Sequence, residues 1–182
     1  CQLMSRRYIP MLEPRRPDAH KGDFGKVLVI GGSSDMPGAQ VLAGFAALRT
    51  GAGLVVLAKP AGVVSPAVAP ELMFKHVGSA NLWFQPKHLS ELSSQMDSAN
   101  VVIAGPGLGR EEETRTFSIA LISKLGGAGT PMVLDADALN HIASTDGSLR
   151  ALPLSCAILT PHPGEAGRLL RIPTGEVQRD RY

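Results

Sequence analysis

Four short stretches of this sequence carry residue types that could do chemistry. Gly105-Pro106-Gly107-Leu108-Gly109 can bring backbone N–H groups close to an anion at a helix start, or can simply make a tight turn. Asp135-Ala136-Asp137 offers two carboxylates that could hold a metal or orient a hydroxyl; the plainer role for Asp137 is to cap the following helix. In Thr160-Pro161-His162-Pro163-Gly164-Glu165 a histidine sits in a rigid turn, three residues before a glutamate. Glu165 either acts on a metal-bound water or caps the next helix. Gly31-Gly32-Ser33-Ser34-Asp35 is a fourth small, polar turn.

Several standard chemistries are absent. Arg110 stands where a dinucleotide fingerprint asks for Gly or Ala, which argues against a NAD-dependent dehydrogenase. No Gly-Lys-Ser/Thr phosphate loop, serine elbow or His-Glu-x-x-His zinc motif occurs. His20, His76, His88 and His141 show no metal spacing and are expected to be structural or exposed. Cys156 precedes an apolar run and is expected in the core.

The elements that must position these turns follow from apolar runs and helical spacings. Lys26–Gly31, Leu54–Ala58, Val101–Ala104, Met132–Leu134 and Ala157–Leu159 read as short strands, with a further one at Leu72–Val77. Val41, Leu42, Phe45 and Leu48 have helical spacing, with Ser33, Ser34 and Asp35 as possible caps, Pro37 near the start and Gly51 and Gly53 as stops. Glu111, Glu112 and Glu113 open another helix and Lys124 closes it, an order that favours the helix dipole; Gly126 and Gly127 are read as its stop. Pro86 opens a short helix within the otherwise unpatterned stretch 78–98, and a last helix passes through Leu169 and Leu170. This βα rhythm predicts an α/β fold with a mostly parallel sheet and helices on both faces. The four special turns then share one rim, at the carboxyl ends of the strands, where ligands bind in such sheets.

Composition limits the function. The chain has 182 residues, 44% hydrophobic and 19% charged, which suits one globular domain. No apolar run reaches the length of a membrane span. The first 26 residues carry a net +3 of the overall +2, leaving −1 for the rest, so the body offers no basic face for nucleic acid. Aromatics at 4% are too few for single-strand stacking platforms. Two cysteines cannot build a disulfide scaffold, and a reducing, cytoplasmic setting is the simplest expectation. Residues 1–25, with Pro10, Pro14, Pro17 and two arginine pairs, read as a leader, and residues 26–182 as the domain.

Together the motifs resemble the ADP/ATP-dependent NAD(P)H-hydrate dehydratases. The resemblance is carried by His20 to Gly32, by Pro37-Gly38-Ala39, by Ala47 to Leu54, by Gly105 to Gly109, by Leu134 to Asn140 and by Leu159 to Glu165. It implies the ribokinase-like fold, a three-layer α/β/α sandwich. It also implies repair of NADHX and NADPHX, the hydrated forms of NADH and NADPH. A carboxylate base would activate the C6 hydroxyl, which takes a phosphoryl group from ADP or ATP with Mg²⁺. Phosphate, a far better leaving group than hydroxide, then departs and the double bond returns. The resemblance assigns substrate contacts to Ala39, Gly107 and His162, and it makes Glu165, with Asp135 and Asp137, candidates for the magnesium or phosphate side. Gln40 departs from the small residue many relatives carry there.

The family's nucleotide segment and its Gly-x-Gly-Asp turn, which supplies the catalytic aspartate, do not occur before Tyr182. These residues are therefore expected to hold the first two-thirds of the domain, mainly its substrate side, with no visible catalytic base and no activity alone. The leader resembles the junction to an NAD(P)HX epimerase domain in bifunctional relatives, and a homo-oligomer is expected. A small-molecule kinase of the same fold and a non-catalytic dinucleotide-binding fragment remain as alternatives.

Overall fold

A computed structural model describes residues 14–66, 69–145 and 149–179. Strands β1 (Lys26–Ile30), β2 (Leu54–Pro60), β3 (Met73–Val77), β4 (Val101–Ala104), β5 (Met132–Leu134) and β6 (Ala157–Leu159) form one sheet, in the order β3-β2-β1-β4-β5-β6. Every pairing is parallel, as the apolar runs lead one to expect. The chain builds outward from β1 to β3, then returns to the other side of β1 and builds outward again. The reversal between β1 and β4 opens a crevice at their carboxyl ends.

The helices are α1 (Ala39–Arg49), α2 (His88–Glu91), α3 (Ser93–Asp97), α4 (Glu112–Gly127), α5 (Asp137–Ala143), α6 (Pro163–Leu170) and α7 (Thr174–Arg179). Alternation along β1 sends its side chains to two cores. Leu28 and Ile30 join Phe117, Leu121 and Leu139 of α4 and α5, while Val29 joins Val41 of α1 and Leu57 of β2. Helices therefore cover both faces, as predicted. Gly44 lets α1 lie close on the sheet, since a Cβ there would come within 2.5 Å of Leu57. The outer half of the α1 face is barer: in the register row Ile103–Val133–Ile158, Ile158 is 64% exposed.

Three local expectations need correction. Helix α1 starts at Ala39 with Gly38 as N-cap and no side-chain cap, because Ser33 is drawn into the β1 turn, where its N–H donates to Gly107 O. Helix α4 runs through Gly126 and Gly127; Gly126 faces the carbonyl of Pro153, and the chain turns at Gly129, whose φ is +69°. Cys156 is exposed, because the strand it precedes lies at the sheet edge. Stretch 78–98 holds two short helices, α2 and α3, the first opening two residues after Pro86.

Part of the stretch read as a leader packs on the sheet. Residues Lys21–Phe24 form a 3₁₀ turn, and Gly53 N–H donates to Phe24 O. The Arg15 guanidinium lies 3.9 Å from the Phe24 ring centre and donates to Gly51 O. Arg6, Arg7 and Pro10 lie outside the described residues. Among the described residues no helix is long and apolar enough to cross a membrane.

Candidate functional site

The four special turns do share one rim, and each touches the next. The β1 turn meets the β4 turn through Gly31 and Gly32: a Cβ on Gly31 would lie 2.1 Å from Pro106 O, and Gly32 N–H donates to that carbonyl. Gly105, at φ +128°, lies against the carbonyl of Asp135 in the β5 turn. Thr160 Oγ1 donates to Asp135 Oδ1 at 2.8 Å, joining the β5 and β6 turns. Parallel strands ending in register make this line of turns, so the rim follows from the sheet.

Ala39 and Gly107 meet across the β1–β4 crevice. Gly107 has φ +67°, and a Cβ there would come within 2.5 Å of Met36 O and 3.1 Å of the Ala39 methyl. Only glycine fits both this backbone and this space. Gln40, beside Ala39, is fully buried; with its amide nitrogen facing inward it donates to Ala58 O and Gly31 O. That side chain ties the end of β1 to β2. His162 stands two strands away from Gly107, about 10 Å at normal strand spacing.

His162 and Glu165 form one unit. His162 is the N-cap of α6, and its Nδ1 accepts from the N–H groups of Gly164 and Glu165. Glu165 Oε2 accepts the His162 N–H at 2.9 Å, and its carboxylate is buried. An accepting Nδ1 puts the ring proton on Nε2, which lies 3.3 Å from Glu165 Oε1. The ring itself stays open, with the side chain 62% exposed. What remains for a ligand is the ring face, so stacking suits this geometry better than a hydrogen bond.

The two aspartates point apart. Asp135 faces the β6 turn, as described, while Asp137 Oδ2 accepts the Gly109 N–H at 3.0 Å. Ala136 between them takes φ +49°, a conformation that disfavours any side chain, and this sends the carboxylates to different neighbours. Asp137 is thus not the cap of α5; Ala136 holds that position. One turn on, His141 Nε2 lies 3.0 Å from Gly109 O, so α5 grips both polar groups of the Gly109 residue. Burial pushes the His141 pKa down, against the partial counter-pull of Asp137. The sequence offered His141 only as structural or exposed; its place four residues after Asp137 was the available signal of a shared helix face.

Among the described residues no three of His, Cys, Asp and Glu converge where a cation could sit. Each candidate carboxylate already serves a turn: Asp135 for Thr160, Asp137 for Gly109, Glu165 for His162. The three carboxylates thus face different turns and together make no magnesium site.

Comparison with known proteins gives a consistent result. A family model described as NAD(P)H-hydrate dehydratase matches residues 27–182. The bifunctional NAD(P)H-hydrate repair enzyme Nnr of Coxiella burnetii is 43% identical over 175 residues, 95% of this chain and 32% of that protein. The ADP-dependent (S)-NAD(P)H-hydrate dehydratase of Neisseria meningitidis is 39% identical over 186 residues, 96% of this chain and 55% of that protein. Among solved structures, the ADP/ATP-dependent NAD(P)H-hydrate dehydratase of Bacillus subtilis, co-crystallised with ATP/Mg²⁺, aligns with a TM-score of 0.66 at 30% identity, over 93% of this chain and 56% of that one. A ribokinase-like superfamily protein of Enterococcus faecalis aligns with a TM-score of 0.73 at 24% identity, over 89% of this chain and 54% of that one, and speaks for the fold. The chain thus spans about a third of the bifunctional relative and about half of the others.

Proposed function

This chain belongs to the NAD(P)H-hydrate dehydratase family, and on that premise we propose that it serves in ADP- or ATP-dependent dehydration of NADHX and NADPHX back to NADH and NADPH. The observation that carries the reading to these residues is the Ala39–Gly107 contact at the β1–β4 crevice. A small side chain and a bare backbone face each other there, beside a line of turns. Gly107 is buried against Met36 and Ala39, so these small residues let the β1 and β4 turns close together, and the dinucleotide would lie along the rim they form. His162 would stack on the dinucleotide further along the rim, held in place by its cap on α6. Glu165 would act by fixing His162.

Phosphorylation of the hydrate hydroxyl by ADP or ATP, followed by loss of phosphate, completes the proposed reaction. The residues described here bind and orient; none of them is assigned the base. The bifunctional relatives support a fused or partner epimerase as part of the same reading. A homo-oligomer acting in the cytoplasm belongs to it too.

The test is a turnover assay with the full-length protein. Reduced-nicotinamide absorbance should return when NADHX or NADPHX is mixed with ADP or ATP and Mg²⁺. Silence with both hydrates, alongside phosphorylation of a vitamin precursor, would favour a small-molecule kinase instead.

A further inference from the structure

Next to the rim, beyond Gly109, lies an open cavity of about 570 Å³ bounded by the start of α4, by α5 and by α6. Its walls are Arg110, Arg115 and Arg168, the carboxylate-bearing Glu112, and Asn140, His141 and Ser144. Three guanidinium groups on one cavity are unexpected in a chain whose body after residue 26 carries a net charge of only −1. Arg115 is paired with Glu112. Among the described residues neither Arg110 nor Arg168 is paired with a carboxylate.

Arg168 is held in place rather than loose. Its Nε donates to Asn140 Oδ1 at 3.0 Å, and its Nη1 lies 3.8 Å from where a Cβ on Gly164 would stand. It therefore leans back along α6 toward the His162 turn, with the rest of its planar donor fork available. Asn140, whose oxygen is taken by Arg168, keeps its amide N–H groups for another acceptor. The Ser144 hydroxyl donates to His141 O, which leaves its oxygen able to accept. Burial lowers the His141 pKa and so disfavours a charge there.

We infer that this cavity is a binding site for a phosphorylated ribose, with the phosphate between Arg110 and Arg168 and the sugar against Asn140 and Ser144. A phosphate monoester matches two guanidinium forks better than a singly charged diester does, because it has more terminal oxygens and more charge. The volume exceeds what a bare phosphate fills and lies in the range of small-ligand sites. The polar, uncharged pair Asn140 and Ser144 suits hydroxyls. The inference stands apart from the dehydratase reading. A phosphorylated ribose comes either from the 2′-phosphate end of a phosphorylated dinucleotide or from a free 5′-nucleotide.

Calorimetric titration of the intact protein separates these sources. The ligands are 2′-AMP, 5′-AMP, ribose 5-phosphate, adenosine and inorganic phosphate. At least one phosphorylated ribose should bind, and adenosine should not. Arg110→Gln and Arg168→Gln should each weaken that binding about tenfold, or about 1.4 kcal/mol. Both arginines are exposed, so folding should survive; thermal melts of the variants check this. Binding that the two arginine variants weaken supports the proposal: of 2′-AMP it assigns the site to the dinucleotide, and of 5′-AMP or ribose 5-phosphate to a free ligand. Absence of binding by all phosphorylated riboses overturns it, as does undiminished binding in both folded arginine variants. Inorganic phosphate binding as tightly as every sugar phosphate overturns the sugar half of the site. Failure here leaves hydrate turnover, and its dependence on His162, unaffected.

Discussion

His162 and Glu165 cap each other: the histidine Nδ1 accepts the Glu165 N–H, and the glutamate Oε2 accepts the His162 N–H. The pair fixes the ring at the start of α6 and leaves its side chain largely exposed. Two substitutions separate these jobs. His162→Asn keeps a good N-cap and removes the ring, so stability should change little while KM for the hydrate rises severalfold. His162→Ala loses both, and should also cost about 1 kcal/mol of stability. Thermal denaturation together with steady-state kinetics reads the two effects apart; equal KM in His162→Asn and the parent would refute the stacking role.

Ala136 takes φ +49° and ψ −115°, where a side chain is crowded. Ala136→Gly should relieve that crowding and raise stability by roughly 1 kcal/mol, against the usual penalty of a more flexible unfolded chain. Urea denaturation measures the balance. A loss of stability would mean that the turn holds the alanine without strain.

Two glycines should answer oppositely to alanine. Gly107→Ala puts a Cβ 2.5 Å from Met36 O at φ +67°, and should destabilise by roughly 1–3 kcal/mol by forcing the β1 and β4 turns apart. Gly127 ends α4 with nothing within 4 Å, so Gly127→Ala should stabilise by about 0.5–1 kcal/mol. The contrast in melting temperature, with the same chemical change at both sites, is the measurement.

His141 and His88 both have pKa values lowered by burial from the ordinary 6.5. A base with a depressed folded-state pKa binds fewer protons folded than unfolded, so stability is full above the unfolded value. It falls as pH drops from 6.5 through the lowered values. The urea midpoint should therefore be level above neutrality and decline in mild acid. His141→Gln should flatten part of that decline; an unchanged pH profile would show that another group carries it.

Much of this was legible beforehand. The apolar runs at Lys26–Gly31, Leu54–Ala58 and Val101–Ala104 announced buried strands, and glycine at 105, 107 and 109 announced a backbone that must bend sharply. Positive φ at all three glycines bears that out. The α4 charge order likewise appears in the helix, with Glu112 and Glu113 in its first turn and Lys124 in its last. Cys156 misled because a three-residue apolar run looks the same at the centre of a sheet and at its edge.

The sequence by itself therefore determined the strand–helix alternation, the parallel sheet and the single rim on which the special turns fall, since these depend on local periodicity and glycine stereochemistry. Partners across the rim were decided only by the tertiary structure. Asp137 with Gly109, Gln40 with Gly31 and Ala58, and Arg168 with Asn140 are each between 9 and 28 positions apart or bridge separate strands. Which side chain meets which there depends on strand order and on a φ angle such as that of Ala136. Those are set when the whole sheet closes its packing, and local sequence preference does not encode them.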